Sequence, residues 1–265
     1  MVTVALAQLD LTRAATDPAT APRPLAAGLA AVQEAAQAGA QLVVLPELWR
    51  TGPFELTETL GAAEALDGAT ATALSAIAAE LGIWLHGGSI LELAADGHRY
   101  NTSLVFDPEG ALAATYRKRH LFGFDSGEAA LIDSGDDIVV VDTPLGPTGL
   151  ATCYDLRFPE HFRALVSAGA ESVIVPAGWP AARIGHWAAL AHARAIENQL
   201  AVLACNATGS SGGVALGGRS LVFDAWGEPL ADAPEAPTVL AADVDPQHAS
   251  TTRAEFPVLR DRRPD

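Results

Sequence analysis

Ala38-Gly39-Ala40-Gln41-Leu42-Val43-Val44-Leu45-Pro46-Glu47-Leu48-Trp49 decides the fold when it is set beside Ala168-Gly169-Ala170-Glu171-Ser172-Val173-Ile174-Val175-Pro176-Ala177-Gly178-Trp179. Each stretch runs from a helix end through a short apolar run into Pro-x-x-Trp. A continuous apolar run rich in Val and Ile, bounded by Gly and Pro, reads as a strand covered on both faces. Each stretch also follows an earlier strand and helix, over 2–8 and 23–38 in one case and over 148–152 and 159–168 in the other. The chain therefore reads as two related halves. Letters common to both halves serve the scaffold. Glu47 stands opposite Ala177 in this comparison, so Glu47 is an addition to the scaffold and a functional candidate. Trp49 and Trp179 recur, either as structural residues or as substrate-binding walls lining one cleft from both halves.

Working outward, the Val-, Ile- and Leu-rich runs predict further strands over 41–45, 83–89, 102–106, 111–116, 138–142, 172–175, 200–206, 218–223 and 239–243. Ala-rich stretches predict helices over 70–81 and 183–198. Strands flanked by helices give an α/β layered domain. Asp107-Pro108-Glu109-Gly110 and Pro144-Leu145-Gly146-Pro147 read as hairpin turns, so part of the sheet is antiparallel. Residues 12–24 read as a surface loop leading into the first helix. No Ser/Gly/Pro linker divides the chain, so residues 1–265 are expected to form a single domain.

Composition narrows the function. The chain is 49% hydrophobic and 18% charged, with a formal net charge of −16. Such acidity repels phosphate backbones and anionic bilayers, so neither nucleic acid nor membrane is expected as a partner. The first ten residues, MVTVALAQLD, read as a strand without a basic leader or cleavage site, which points to the cytoplasm. Cys153 and Cys205 are too few for a disulfide framework and read as reduced thiols. Of the 16 basic residues all are arginine except Lys118. Lysine is a compact point donor, unlike the planar guanidinium, so a lone lysine suggests a place where an ammonium is needed.

Glu47, Lys118 and Cys153 each lie just beyond the carboxyl end of a predicted strand, where open α/β sheets place their ligands. The three types suit one chemistry. An ordinary thiol is mostly protonated at neutral pH. A carboxylate can take its proton during attack, and an ammonium can stabilise the oxyanion that forms. The backbone N–H of Tyr154 is a second oxyanion donor.

Leu45-Pro46-Glu47, Tyr116-Arg117-Lys118-Arg119-His120-Leu121-Phe122 and Cys153-Tyr154-Asp155-Leu156-Arg157-Phe158-Pro159-Glu160 resemble the three signatures of the carbon–nitrogen hydrolase (nitrilase) superfamily. The resemblance extends through Arg194-Ala195-Ile196-Glu197-Asn198 and Cys205-Asn206-Ala207-Thr208-Gly209. It implies a four-layer α-β-β-α sandwich, no metal or organic cofactor, and at least a homodimer. It further implies that Glu47 is general base, that Lys118 stabilises tetrahedral intermediates and that Cys153 forms a thioester. Glu128, after the loop over 123–127, matches the family's second glutamate, which would orient Lys118 and the substrate amide. The Cys-Tyr-Asp-Leu-Arg-Phe-Pro-Glu run resembles the ω-amidase and Nit-type branch, which acts on monoamides of dicarboxylic acids. Nitrilases usually carry Trp-Glu after the cysteine, so nitriles are disfavoured. N-carbamoyl amino-acid hydrolases are the nearer rival. A non-catalytic binding protein on the same fold is the third reading. Arg157 is a candidate for a substrate carboxylate, against the alternative of a salt bridge holding the next helix.

Other candidates read as structural. Cys205 sits in an apolar strand. His186 and His192 are six apart and do not share a helix face. His120 could hydrogen-bond near the site. Gly209-Ser210-Ser211-Gly212-Gly213 matches G-x-S-x-G, but a strand follows where a serine hydrolase needs a helix, so a loop near the cleft is expected.

Overall fold

The repeat seen in the sequence becomes a repeat in space in a computed structural model that describes residues 1–13, 20–124 and 127–263. Parts of two expected loops, residues 14–19 and 125–126, lie outside the described residues. The first half runs β1 (Val2–Gln8), α1 (Ala26–Gln37), β2 (Leu42–Val44), α2 (Leu56–Thr59), α3 (Ala69–Leu81), β3 (Trp84–Leu93), β4 (Arg99–Phe106) and β5 (Leu112–Arg117). The short α4 (Glu128–Leu131) leads into β6 (Val140–Thr143), β7 (Gly146–Leu150), a 3-10 turn at Cys153–Arg157, α5 (Pro159–Ser167), β8 (Ser172–Ala177), α6 (Ile184–Asn198) and β9 (Ala201–Asn206). A hairpin of β10 (Thr208–Ser211) and β11 (Val214–Gly217) precedes β12 (Leu221–Phe223), β13 (Pro229–Asp232), β14 (Thr238–Val244) and α7 (His248–Glu255).

Among the described residues two six-stranded sheets form, in the orders β14-β1-β2-β3-β4-β5 and β6-β7-β8-β9-β12-β13. The two orders match strand for strand in direction. In each, the second, third and fourth strands are parallel and the remaining pairs are antiparallel. The echo in the sequence places β2 on β8, and the two echoing helices α1 and α5 fall in equivalent connections.

Alternation of side chains builds the layers. On the inner faces Val4, Leu6, Leu42 and Val44 of one sheet meet Ile174, Leu203, Cys205 and Val222 of the other. On the outer face of the first sheet, Val43, Leu45 and Leu85 pack under α1 and α3. α1 buries Gly28, Ala31, Val32 and Ala35, the i, i+3, i+4, i+7 stripe of an amphipathic helix. Val173, Val175 and Val202 of the second sheet likewise pack under Phe162 and Leu165 of α5 and Trp187 and Ala191 of α6. The result is the expected α-β-β-α sandwich.

Two consequences position the site. The parallel strands of both sheets end in Glu47 after β2, Cys153 after β7 and Gly178 after β8. β5 runs parallel to β3, because both are antiparallel to β4, so Lys118 emerges at the same end. Among the described residues no helix is long and apolar enough to cross a membrane.

Candidate active site

Pro46 follows β2, and the chain turns with Leu48 in the left-handed region at φ 43°. A bulge in β3 makes room for the turn. Gly88 has φ 67°, and a Cβ there would lie 1.9 Å from the Pro46 carbonyl oxygen. Ser89 Oγ accepts a hydrogen bond from Leu48 N at 3.0 Å and fixes the turn. Glu47 is thereby directed inward and is buried. Its Oε1 accepts from Lys118 Nζ at 2.7 Å and from Asn101 Nδ2 at 2.9 Å, while Oε2 accepts from Gly178 N at 2.9 Å.

Lys118 continues the sheet ladder past β5 by donating its N–H to the Asn101 carbonyl at 2.8 Å. Its ammonium, also buried, gives a second bond to Glu128 Oε2 at 2.6 Å. Glu128 begins α4; its Oε2 also accepts from Phe122 N at 2.9 Å, and its Oε1 from Asn101 Nδ2 at 2.7 Å. Burial alone would lower the Lys118 pKa, but the charges of Glu128 and Glu47 outweigh it and hold the ammonium protonated, well above the ordinary lysine range. Glu128 is pushed up, by burial first and by the Glu47 charge, with Lys118 opposing.

Cys153 opens the 3-10 turn with φ 46°, a conformation that costs energy for a non-glycine residue and persists where the surroundings over-determine it. The surroundings here are a capping box between Thr152 and Asp155. Buried Asp155 accepts from Thr152 N at 2.8 Å, Tyr116 Oη at 2.7 Å and His120 N at 3.0 Å. His120 also sets its ring Nδ1 2.6 Å from that carboxylate and stacks on Phe158. Burial would raise the Asp155 pKa, but the bond from His120, the nearby His161 and the bonds from Tyr116 and Thr152 bring it below the ordinary value. Tyr116 thus ties the strand that ends in Lys118 to the turn that presents Cys153.

The thiol of Cys153 is pushed well up, by burial first and then by the Glu47 charge; Lys118 only partly offsets them. Cys153 is therefore a neutral thiol at rest beside a carboxylate that can take its proton. Tyr154, the next residue, lies in the first turn of the 3-10 helix, where backbone N–H groups lack intrahelical acceptors.

These groups form the floor of a cavity of about 230 Å³. Phe54, Phe122, Tyr154 and Trp179 contribute its apolar walls, and Arg157 and Arg183 also line it. The Arg157 guanidinium lies 4.7 Å from the Trp179 ring centre, and that of Arg183 lies 5.5 Å from the Phe122 ring. Neither has an ion-pair partner among the described residues. The cavity has room for a small molecule, and the two guanidiniums add positive charge to its lining. No cluster of three or more His, Cys, Asp or Glu suited to a metal ion occurs among the described residues.

The family model for carbon-nitrogen hydrolase matches residues 3–254. The chain belongs to the carbon–nitrogen hydrolase family. Among its relatives, a 2-oxoglutaramate amidase of Paenarthrobacter nicotinovorans is 44% identical over 233 residues, covering 85% of this chain and 79% of that one. An omega-amidase of Homo sapiens is 35% identical over 246 residues, covering 88% and 87%. Among solved structures, a CN-hydrolase superfamily protein of Xanthomonas campestris with an arsenic adduct in its active site superposes with a TM-score of 0.85 at 29% identity, covering 100% and 98%. A variant amidase of Nesterenkonia sp. AN1, with acrylamide added to its active site cysteine, superposes at 0.79 with 28% identity, covering 98% and 99%.

In this carbon–nitrogen hydrolase, Glu47, Lys118, Cys153 and Glu128 come together, and Tyr154, Arg157 and Trp179 line the same cavity. Trp49 does not. It is buried on the helix-facing side of the first sheet, where its Nε1 donates to the Gly87 carbonyl at 3.1 Å and its ring lies against Gly28. Its recurrence with Trp179 reflects the shared scaffold: both equivalent turns border the cavity, but the first contributes Glu47 and the second Gly178 and Trp179. The alternative salt bridge for Arg157 is absent among the described residues; the side chain stacks on Trp179 instead. Ser211 accepts from Phe54 N at 3.2 Å in the β10–β11 hairpin and does not border the Cys153 cavity. Cys205 is core, and His186 is exposed. Two residues escaped the sequence. Asn101 joins both carboxylates from β4, next to the edge strand of the first sheet, and Arg183 enters the cavity beside the start of α6. The expected strand began at residue 102, so Asn101 fell just outside it and gave no signal; a short Pro-Ala-Ala-Arg run gave none for the second.

Proposed function

We propose that this enzyme is an amidase that hydrolyses small amides bearing a carboxylate, through a thioester on Cys153. The observation that carries the reading is a neutral thiol placed with a carboxylate and an ammonium at the floor of a small cavity that also holds two arginines without ion-pair partners among the described residues. Glu47 takes the thiol proton as sulfur attacks the amide carbon. The carbonyl oxygen gains negative charge, which Lys118 and the Tyr154 N–H stabilise. Glu47 then gives its proton to the leaving nitrogen, ammonia departs, and the thioester remains. Water attacks that thioester with Glu47 again as base; the C–S bond breaks, sulfur recovers a proton, and the carboxylic acid leaves. Glu128 holds Lys118 throughout.

Because the resting thiol is neutral, proton transfer accompanies attack, and no standing thiolate is needed. Arg157, laid on Trp179, holds the substrate's own carboxylate. The relatives' names make 2-oxoglutaramate and other monoamides of short dicarboxylic acids the first substrates to try. N-carbamoyl amino acids carry the same carboxylate and are the competing class. The family resemblance adds a homodimer or larger assembly, which light scattering at micromolar concentration checks.

An ammonia-release assay across 2-oxoglutaramate, succinamate, glutaramate, N-carbamoyl amino acids, acetamide and simple nitriles tests the reading. Carboxylate-bearing amides should lead, and mass spectrometry should trap an acyl adduct on Cys153. Cys153→Ala should abolish both signals. Arg157→Met should raise KM for these amides roughly 10–100-fold, the cost of one charge-assisted bond, and leave acetamide unaffected. Turnover surviving in Cys153→Ala, or equal rates with and without the substrate carboxylate, would overturn it.

A further inference from the structure

Two carboxylates and one ammonium are buried together here, and the charge does not balance. Glu47 and Glu128 share Lys118 as their only buried cation among the described residues, in a site almost closed to water. Like charges at this separation favour uptake of a proton by one of them. A protonated carboxyl could no longer accept from all three of its donors, and the arrangement around the thiol would change.

Asn101 addresses this imbalance directly. It is fully buried in β4, and its Nδ2 donates one hydrogen to Glu47 Oε1 at 2.9 Å and the other to Glu128 Oε1 at 2.7 Å. Its backbone carbonyl accepts from Lys118 N at 2.8 Å, so the same residue sets the origin of the lysine side chain. Its Oδ1 is buried with no partner among the described residues. Leaving an amide oxygen unpaired is costly. The side chain is thus held by what its nitrogen donates.

We infer that Asn101 is a positioning residue that holds Glu47 and Glu128 in register around Lys118, so that Glu47 is free to take the Cys153 proton. Hydrogen bonds to the charged form of a carboxyl favour that form. Asn101 does so for two carboxylates without adding charge. Aspartate would add a third negative group, and lysine a second bulky cation. The titratable groups facing the cluster are Glu47 from the turn after β2, Lys118 after β5, Glu128 on α4 and Cys153 after β7, with Arg157 and Arg183 farther up the cavity. The inference rests on the roles assigned above to Glu47 and Cys153.

The experiment compares pH profiles of kcat and KM for wild type, Asn101→Leu, Asn101→Asp and Cys153→Ala, each first confirmed as folded by circular dichroism. Asn101→Leu has similar size and no donor. Its kcat should fall roughly 10–100-fold, the scale for a misplaced catalytic group, with KM nearly unchanged, and its acid limb should move up by about one pH unit or more. Asn101→Asp can donate only while protonated, so its activity should fall at lower pH on the alkaline side than that of wild type. The two variants thus shift opposite limbs, which general loosening would not do, and either alone suffices if the other fails to fold. Wild-type limbs in a folded variant would overturn the role of Asn101 while leaving the thioester reading intact. Activity in Cys153→Ala would instead overturn the thioester reading.

Discussion

Lys118 makes two short bonds, to Glu47 and Glu128, from a head with almost no exposure. The shape of its head therefore matters as much as its charge. A guanidinium keeps the charge but spreads it over a plane that must displace one carboxylate. Lys118→Arg should lower kcat/KM by at least about 100-fold, as when one oxyanion donor is lost. Lys118→Met should also unfold more readily by roughly 3–5 kcal/mol, because it leaves two buried carboxylates without their cation; steady-state kinetics and urea titration check the two effects. At this scale the sequence spoke through rarity and motif. A solitary lysine among arginines, a glutamate absent from the equivalent turn and a cysteine in a recognisable run were all legible. Asn101 was not, since nothing in Arg99-Tyr100-Asn101-Thr102 tells which strand face meets two carboxylates from distant segments. Trp49 misled because a recurring letter can mark packing under a helix as readily as a cavity wall.

β3 shows how an element carries function without touching substrate. Its ladder to β4 breaks register between His86 and Ser89, and the freed space accepts the Pro46–Leu48 turn that aims Glu47. Gly88→Ala would drive a methyl into the Pro46 carbonyl at a positive φ, so the turn must move. The expected result is a Tm loss worth about 1–3 kcal/mol or more together with a kcat drop of at least roughly tenfold. Gly82→Ala is the control, for its φ is also positive at 62° but it has open space around it and caps α3 away from the turn. It should cost stability and spare kcat. The bulge was invisible in the sequence, where His86-Gly87-Gly88-Ser89 continues an ordinary strand. The long elements were legible: β1 spans 2–8 as expected, and α3 begins one residue before the expected 70–81. Elements held by tertiary contacts were missed. β10 and β11 lie in a Gly- and Ser-rich run with little intrinsic strand preference, and α4 is a single turn built around buried Glu128. α7 lacks the apolar stripe that would announce it, burying only Ala249 and Thr252.

The whole molecule gains from two equivalent sheets a thick dry interior, and that interior holds groups that resist ionisation. The two-half architecture was legible because periodicity and the internal echo are properties of the chain itself; the way the sheets stack was supplied by the family resemblance. Stability against pH follows from what the interior excludes. His86 is fully buried on β3; its Nδ1 accepts from Gly88 N, and its Nε2 has no partner among the described residues. Burial depresses its pKa from 6.5 to about 3. In the window between those values the unfolded chain binds a proton at this residue and the folded chain does not. Stability therefore falls as pH drops from about 6.5 toward about 3, at about 1.4 kcal/mol per unit for this group. Asp155, whose folded pKa is also depressed, adds loss at the bottom of that range, whereas Glu128, whose folded pKa is raised, opposes it. At the other edge, burial raises the thiol of Cys205 at the sheet interface, as it does that of Cys153. Above about 8.5, the ordinary thiol value, the unfolded chain releases protons that the folded chain retains, so stability falls again as pH rises. Thermal melts from about pH 4 to about pH 10 should trace a dome with both slopes. His86→Leu should flatten the acid slope and Cys205→Ala the alkaline one, whatever each substitution does to the baseline Tm. An acid slope unchanged in His86→Leu would mean that water reaches this imidazole and that the space between the sheets is wetter than its packing implies.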